Sequence, residues 1–425
     1  MGFHSRPYAT SVEADEMLAA LNDRYDSSKG QFLGKITQRP WTNPALRISV
    51  TNRCNLSCTY CYDRIYQPPL RAKSDMDAEQ VRNIFARYPN PSYVFVLGGE
   101  PFLNPDAVIE ILDACPSRMT ISSNGQLFNP DVEAVLAAIA KRLRSGRQTL
   151  LQISSEEGGK STERGTTDNE GLLLKFAGAL DGRIKIKFTM TETDVPEIEN
   201  IASWYWRRSL PVQFDFADGG HGDGRDQDIS EDNAKRVHEF TRRALDAAFD
   251  EWVPADGADS WPLRRIKTLL NVIFPRAIMQ VMKGFPVHSA CGILGHSIYF
   301  GPSGEAAPCH RWRQHQYKHP GDSENLTEEI RQFHSDVGAD AMAACETCQW
   351  RASCGGVCPA VMNIYGPGAI AGRCKFQGAL TDATFGFIMD RKYEDDPRHA
   401  AFLDHVISQS SFEALLDSDR IRAAS

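Results

Sequence analysis

The sequence predicts an α/β protein, with a partial (β/α)6 barrel over residues 44–230 followed by a small cysteine-rich domain over residues 286–380. Short strand-like segments alternate with amphipathic helix-like segments through the first of these regions, which is the pattern of repeated βαβ units. The cysteines fall into two widely separated groups, one directly after the first predicted strand and one near the C-terminus. These observations set both the fold class and the places where chemistry is expected.

The predicted elements follow one another in a regular order. Strands are expected at 45–50, 93–97, 118–122, 149–154, 184–190 and 212–216, with helices at 77–87, 106–114, 131–144, 171–180 and 196–207. Six strands are too few for a closed eight-stranded barrel, so an open one is expected. Ligands of parallel β/α folds bind at the C-terminal ends of the strands, and the functional site is expected there.

The rest of the chain divides into segments with less specific patterns. Residues 1–43 are interpreted as an N-terminal arm with one short helix at 12–21, residues 231–285 as a helical linker, and residues 381–425 as a helical tail. Two polar loops, 155–170 and 217–230, follow predicted strands. They are either solvated connections or a substrate lid over the barrel mouth.

Composition excludes some classes of function. The 425 residues carry a net charge of −8, which argues against a nucleic-acid partner bound by bulk electrostatics. The sequence has no apolar run of membrane-spanning length and no signal peptide at its start, so a cytoplasmic location is expected.

The first cysteine group has the spacing Cys-x3-Cys-x2-Cys, formed by Cys54, Cys58 and Cys61. Clustered cysteines in a reducing compartment more often bind metal than form disulfides. A structural zinc ion takes four ligands, whereas three thiolates suit an iron–sulfur cubane with one open iron. Cys115, at the end of an apolar helix-like run, is instead expected to be a core thiol.

This loop resembles the hallmark of the radical S-adenosylmethionine (SAM) superfamily. The resemblance implies a 4Fe–4S cluster whose open iron is chelated by SAM, and reductive cleavage of SAM to a 5′-deoxyadenosyl radical that takes hydrogen from the substrate. Further positions that match family motifs are implied to contact SAM: Tyr60, Gly98, Gly99, Glu100, Ser122, Asn124, Ser154 and Arg164.

Each implied contact has its own place in the family pattern. The Gly98-Gly99-Glu100 motif would bind the methionine amino group, and Tyr60 would flank the adenine. Ser122, Asn124, Ser154 and Arg164 would hold the ribose and carboxylate. The family usually has Asp-Gly after the serine that corresponds to Ser154. In this chain residues 156–158 are instead Glu-Glu-Gly.

The second cysteine group resembles the SPASM extension, which holds two auxiliary 4Fe–4S clusters. The resemblance assigns to the outer cluster Cys345, Cys348, Cys354 and Cys374, and to the inner cluster Cys291, Cys309 and Cys358. Zinc sites are the alternative, since Cys-x2-Cys is also a zinc spacing. The inner set lacks a fourth cysteine, which leaves either an open iron or a ligand such as His296 or His310.

The SPASM resemblance implies oxidative modification or cross-linking of a peptide or protein, in the manner of ribosomal peptide maturation. A small-molecule substrate is the first alternative, and an iron–sulfur electron carrier without radical chemistry the second. Anaerobic sulfatase maturases have an aspartate base where this chain has His310, so formylglycine formation is not expected. Candidate acid–base residues are His310, Asp218 and His221.

Partners follow from the same resemblance. An electron donor such as flavodoxin or ferredoxin is expected. The N-terminal arm is too short for a winged-helix domain that binds a leader peptide, so recognition is expected to need either a separate leader-peptide-binding protein or the acidic loops.

Overall fold

The computed structural model describes residues 12–38, 43–61, 74–159, 170–217, 228–254, 262, 265, 273–284, 286–288, 297–311, 326–356 and 358–408. Within these ranges the chain forms one sheet flanked by helices. The strands are β1 Ala45–Ser49, β2 Tyr93–Leu97, β3 Met119–Ser123, β4 Thr149–Ser154, β5 Ile184–Met190, β6 Val212–Phe216, β7 Ser297–Phe300 and β8 Ala306–Ala307.

The helices lie between and after these strands. They are α1 Val12–Gln38, α2 Ala78–Arg87, α3 Pro105–Ala114, α4 Pro130–Arg144, α5 Glu170–Ala179, α6 Ile198–Trp206, α7 Glu231–Glu251, α8 Ile273–Lys283, α9 Leu326–Ala344, α10 Arg351–Cys354, α11 Pro359–Tyr365, α12 Ala371–Ile388 and α13 Pro397–Ser408. Short 3-10 helices occur at Pro101–Leu103, Val195–Glu197, Pro367–Ile370 and Arg391–Tyr393.

The sheet is open and has the strand order β6-β5-β4-β3-β2-β1-β7-β8. Strands β1 to β6 pair in parallel, which confirms the predicted α/β class and the six β/α units. The two extra strands come from the cysteine-rich segment: β7 pairs in parallel with β1, and β8 pairs antiparallel with β7. The cysteine-rich segment therefore extends the sheet of the barrel, which the sequence analysis did not foresee.

Alternation along the strands separates an apolar face from a polar one. On β5 the residues Ile184, Ile186 and Phe188 are buried, while the intervening residues are half-buried. The apolar set packs with the flanking helices in the main hydrophobic core. Cys115 is fully buried in that core, as predicted, and burial raises the pKa of its thiol.

A buried arginine fixes how two helices attach to the sheet. Arg142 of α4 is 1% exposed and donates to the carbonyls of Leu112 and Cys115, at 2.6 Å each, and to Thr149 Oγ1 at 3.0 Å. A guanidinium with this many neutral acceptors ties α3, α4 and β4 together without an acidic partner.

The N-terminal helix is longer than the predicted segment 12–21, because α1 continues to Gln38. Its buried side chains pack on the cysteine-rich part of the chain, and polar contacts pin it there. Asp26 pairs with Arg351 at 2.6 Å, and the Asn22 side chain donates to the carbonyl of Gln349 at 2.9 Å. Contacts so distant in sequence are not visible in the local pattern.

Among the described residues, no helix combines the length and the apolar character required to cross a membrane.

Candidate active site

The cysteine loop leaves the C-terminal end of β1, the edge at which ligands of parallel sheets bind. Cys54 is exposed, and Cys58 and Cys61 are half-buried. The backbone N–H of Cys61 donates to the carbonyl of Cys58 at 3.3 Å, and that of Leu56 lies 3.4 Å from the Cys54 sulfur. The loop thus presents its thiols near the surface at the C-terminal edge of the sheet.

Two glycines let the end of β2 lie against the start of this loop. Gly99 N–H donates to the Thr51 carbonyl at 2.9 Å, and Glu100 N–H donates to the Arg53 carbonyl at 2.7 Å. A Cβ atom at Gly98 would lie 2.7 Å from the Thr51 oxygen, and one at Gly99 would lie 2.2 Å from the Arg53 oxygen. Backbone-to-backbone contact this close excludes any side chain.

The Glu100 carboxylate points into the protein and joins the ends of β2 and β3. Glu100 is completely buried. One carboxylate oxygen accepts from Phe102 N–H at 3.1 Å and from the Ser123 hydroxyl at 2.8 Å, and the other accepts from Asn124 N–H at 2.7 Å. A buried carboxylate held by three donors is a stable structural link.

Asn124 continues this chain of contacts back to the cysteine loop. Its side-chain amide donates to Asn55 Oδ1 at 2.7 Å and lies 3.8 Å from the Cys54 sulfur, and its Oδ1 accepts from Gln126 N–H at 2.9 Å. Ser122 is half-buried and accepts from the Gln152 side chain at 3.4 Å. The structure therefore brings the motifs after β1, β2 and β3 into one connected group.

The end of β4 meets the same loop through a contact that the sequence analysis missed. The Tyr60 hydroxyl donates to the carboxylate of Glu156, which is buried. Ser154 is half-buried, while its neighbour Ser155 is buried and accepts from the Tyr205 hydroxyl at 2.9 Å. Glu156 belongs to the segment that departs from the usual Asp-Gly, and only the fold shows that it binds Tyr60.

Four C-terminal cysteines influence one another electrostatically. Burial raises the pKa of Cys374 most, and Cys354, Cys345 and Cys348 raise it further. Burial likewise raises the pKa of Cys354 to about 11, and Cys348 adds to the rise. The set implied for an outer cluster is therefore gathered in one place.

Two further side chains show that an anionic group suits this place. Arg276 is half-buried and its Nη1 donates to the Cys354 carbonyl at 3.4 Å. Its Nε atom is buried with no hydrogen-bond partner among the described residues, and burial lowers its pKa while Cys354 opposes the change. The Tyr25 hydroxyl is also buried without a partner in the described part of the chain, beside Cys345 and Cys354. Buried cations and donors normally have acceptors. A thiolate-bound iron–sulfur cluster would supply them.

The set implied for an inner cluster is only partly described. Cys309 is buried near Cys358 and Arg47, and burial raises the pKa of the Cys309 thiol. His310 Nδ1 lies 3.4 Å from the Cys309 sulfur and 2.8 Å from Arg47 Nη1. Because a guanidinium can only donate, His310 Nδ1 accepts from Arg47.

Several predicted site residues fall outside the described part of the chain: Arg164, Asp218, His221, Cys291 and His296. Their roles remain predictions. Among the residues that the structure does describe, no three or more His, Cys, Asp or Glu side chains form a site for a single metal ion.

Residues 48–166 match the family model of the radical SAM superfamily. This stretch contains the cysteine loop and the connected ends of β1 to β4. Residues 48–166 are a radical SAM domain.

Curated proteins similar to this chain share only part of it. A GTP 3′,8-cyclase from Mannheimia succiniciproducens is 35% identical over 94 residues, which is 21% of this chain and 28% of that protein. A 7-carboxy-7-deazaguanine synthase from Halobacterium salinarum is 28% identical over 158 residues, 36% of this chain and 59% of that protein. The chain thus spans less than two thirds of these relatives' length.

Solved structures share the fold over most of the chain. The structure of anSMEcpe with bound AdoMet has a TM-score of 0.57 at 12% identity, covering 85% of this chain and 99% of that one. Streptococcus suis SuiB bound to precursor peptide SuiA has a TM-score of 0.51 at 13% identity, covering 86% and 82%. The likeness in fold extends well beyond residues 48–166.

Proposed function

We propose that the protein is a radical SAM enzyme with three 4Fe–4S clusters that oxidatively modifies or cross-links a peptide or protein substrate. The observation that carries the proposal is the connected group of Cys54, Gly99, Glu100 and Asn124, which joins three strand ends around the cysteine loop. An electron carrier needs only cluster ligands. It has no use for a rigid ligand-binding edge built from β2 and β3.

Different residues of this edge would bind different parts of SAM. When bound, the first cluster and SAM supply an electron and a carbon-centred radical that removes hydrogen from the substrate. The backbone of Gly98 and Gly99 packs against the cysteine loop, which leaves no room for a side chain on that side, and this strand end would contact the methionine part of SAM. Ser122, Ser154 and Arg164 would orient the ribose and carboxylate, and Tyr60 would flank the adenine, held in place by Glu156.

The C-terminal cysteines would hold two auxiliary clusters. Cys345, Cys348, Cys354 and Cys374 would bind the outer one beside Arg276, and Cys291, Cys309 and Cys358 the inner one. Auxiliary clusters suit a reaction in which the substrate radical loses a further electron, as in oxidation or cross-linking. His310, next to Cys309, remains a candidate base, together with Asp218 and His221.

A peptide substrate is supported by the extent of the structural likeness. SuiB was solved with its precursor peptide, and anSMEcpe was solved with a Cp18Cys peptide. The latter structure resembles this chain with a TM-score of 0.57. These likenesses cover 85% and 86% of this chain, so they extend far beyond residues 48–166. A flavodoxin or ferredoxin donor, a separate leader-peptide-binding protein and a cytoplasmic location belong to this proposal.

A small-molecule substrate is the second candidate, because the names of the curated relatives concern nucleotide-derived compounds. The two relatives described above match only 21% and 36% of this chain. Such partial matches are expected wherever two enzymes share SAM-binding elements alone, so they favour a small substrate less than the whole-chain likeness favours a peptide.

The experiment supplies both substrate classes to the same preparation. Protein purified and reconstituted without oxygen is given SAM and dithionite, then either the peptides encoded beside its gene or GTP. Loss of two hydrogens from a peptide, with 5′-deoxyadenosine released, supports the proposal, and consumption of GTP replaces it with the small-molecule reading. A Cys54→Ala variant should lose both products, whereas Cys115→Ala, which removes a core thiol, should retain them.

A further inference from the structure

The polar face of the sheet carries a group of charges near β5 and β6 to which the proposed SAM site gives no role. Lys185 and Lys187 lie on β5 between buried apolar residues, so both project from the face opposite the main core. Asp215 lies on the same face of β6. We call Lys185, Lys187, Asp215 and Arg373 the charged corner.

Asp215 forms ion pairs with two of the basic side chains. Lys187 Nζ lies 3.0 Å from Asp215 Oδ2, and Arg373 Nη2 lies 3.3 Å from Asp215 Oδ1. Arg373 is on α12, which packs against β6 through the stacked rings of Phe216 and Phe376, 5.6 Å apart. The corner is therefore built from the barrel and from the helix that carries Cys374.

Lys185 has no such partner. Among the described residues its ammonium makes neither an ion pair nor a hydrogen bond. The side chain is half-buried. Burial lowers the pKa of its ammonium to about 8, Lys187 lowers it further, and Asp215 acts in the opposite sense. The corner thus holds three basic side chains and one carboxylate.

The position of the corner relates it to the proposed chemistry. On the neighbouring strand, Ser154 is the register partner of Lys187, and Gln152 is the partner of Lys185. Arg373 is adjacent in sequence to Cys374. The corner lies between the strand end proposed to hold the ribose of SAM and the helix proposed to hold a ligand of the outer cluster.

A purely structural role accounts for only part of this arrangement. The Lys187–Asp215–Arg373 contacts can attach α12 to the sheet. They leave Lys185 without a role, since it stands half-buried beside Lys187 and no carboxylate among the described residues pairs with its ammonium.

From this geometry we infer that the charged corner binds an anionic group of the substrate, with Lys185 as its unshared partner. The inference rests on the proposed function, because it places the substrate beside SAM. The shared chemistry is an oxyanion, which is either a carboxylate of an acidic peptide residue or a phosphate of a nucleotide. Lys187 and Arg373 would reach it from either side while remaining bound to Asp215.

The test measures anion binding by calorimetry on the reconstituted holoenzyme, with pyrophosphate and an acetylated Glu-Glu amide as probes. The Lys185→Met variant should bind the preferred probe about tenfold or more weakly, since a charge-assisted hydrogen bond is lost. Asp215→Asn should bind it more tightly, because a competing carboxylate is removed. Lys235→Met alters an exposed lysine of α7 and should match the wild type.

The two probes separate the two sources of the anion. Binding of the diglutamyl probe alone indicates an acidic peptide, and binding of pyrophosphate alone indicates a phosphorylated substrate. If neither probe binds the wild type, or if Lys185→Met and Lys235→Met bind equally, the inference is overturned. SAM cleavage without substrate is measured in parallel: its absence from the wild type would reject the proposed function while leaving the binding result interpretable.

Discussion

The substitution Gly99→Ala tests how the cysteine loop is attached to the sheet. At this position a new methyl group would lie 2.2 Å from the Arg53 carbonyl oxygen and 2.6 Å from its carbon. Both atoms belong to the backbone, so no flexible side chain can turn away. The loop and the end of β2 must move apart, and the hydrogen bonds of Gly99 N–H and Glu100 N–H to the loop are strained or lost.

The expected cost follows from these contacts. Overpacking of a tight site costs about 1–3 kcal/mol. Each lost backbone hydrogen bond adds about 1 kcal/mol. We expect Gly99→Ala to lower the free energy of unfolding of the apo-protein by about 3 kcal/mol. We also expect the folded variant to lose iron from the first cluster, because the loop that carries Cys54 is displaced.

The assay combines denaturant unfolding of the apo-protein with iron content after reconstitution. Gly178→Ala in α5 is the matched control, since nothing lies within 4 Å of the added methyl group. Helix propensity predicts that this control gains about 0.5 kcal/mol. Equal stability and equal iron content in Gly99→Ala and the wild type would refute the close-contact argument.

Four shorter predictions concern other parts of the structure. Asn124→Ala removes the contacts to Asn55 and Cys54, so its first cluster should lose iron faster in air, which absorbance decay would show. Arg276→Met removes a buried positive charge beside Cys354, so the outer cluster should become about tenfold harder to reduce at a fixed potential, a shift of about 60 mV in an EPR redox titration. Arg142→Met leaves buried carbonyls unsatisfied and should cost about 3–5 kcal/mol in urea unfolding, without changing SAM binding by the folded fraction. Because the folded pKa of Lys185 is depressed to about 8, the unfolded chain binds more protons between pH 8 and about 10.4, so stability should rise with pH in that window. Lys185→Met should therefore be up to about 3 kcal/mol more stable than the apo wild type at pH 7, and this advantage should shrink as the pH rises through the window.

The strands were predictable because their local pattern agrees with the fold. On β5 the alternation of Ile184, Lys185, Ile186, Lys187 and Phe188 matches the observed alternation of buried and half-buried positions. The predicted strands at 93–97, 149–154, 184–190 and 212–216 coincide with β2, β4, β5 and β6. A parallel sheet then follows from the connecting helices.

The strands β7 and β8 were not predictable in the same way. They are short and lie at the edge, and β7 pairs with β1, which is more than two hundred positions away in sequence. Periodicity within a few residues carries no information about such pairing. The length of α1 has the same cause, since contacts such as Asp26–Arg351 hold its second half.

The motifs located the candidate site, but they did not reveal its internal contacts. The cysteine spacing and the Gly-Gly-Glu segment marked a loop and strand ends that the structure connects. The use of the Glu100 carboxylate between β2 and β3, and the contact between Tyr60 and Glu156, depend on side-chain directions that only the fold determines. The sequence gives no sign that Arg276 differs from a surface arginine. Its position beside Cys354 depends on the tertiary fold.

Iron content and SAM cleavage, measured together on anoxically reconstituted protein, test the central claim most directly. The account predicts about twelve irons per chain, with 5′-deoxyadenosine formed from SAM and dithionite. The triple variant Cys54→Ala, Cys58→Ala, Cys61→Ala should retain about eight irons and release no 5′-deoxyadenosine. Bound zinc, or about four irons without SAM cleavage in the wild type, would contradict a three-cluster radical SAM enzyme.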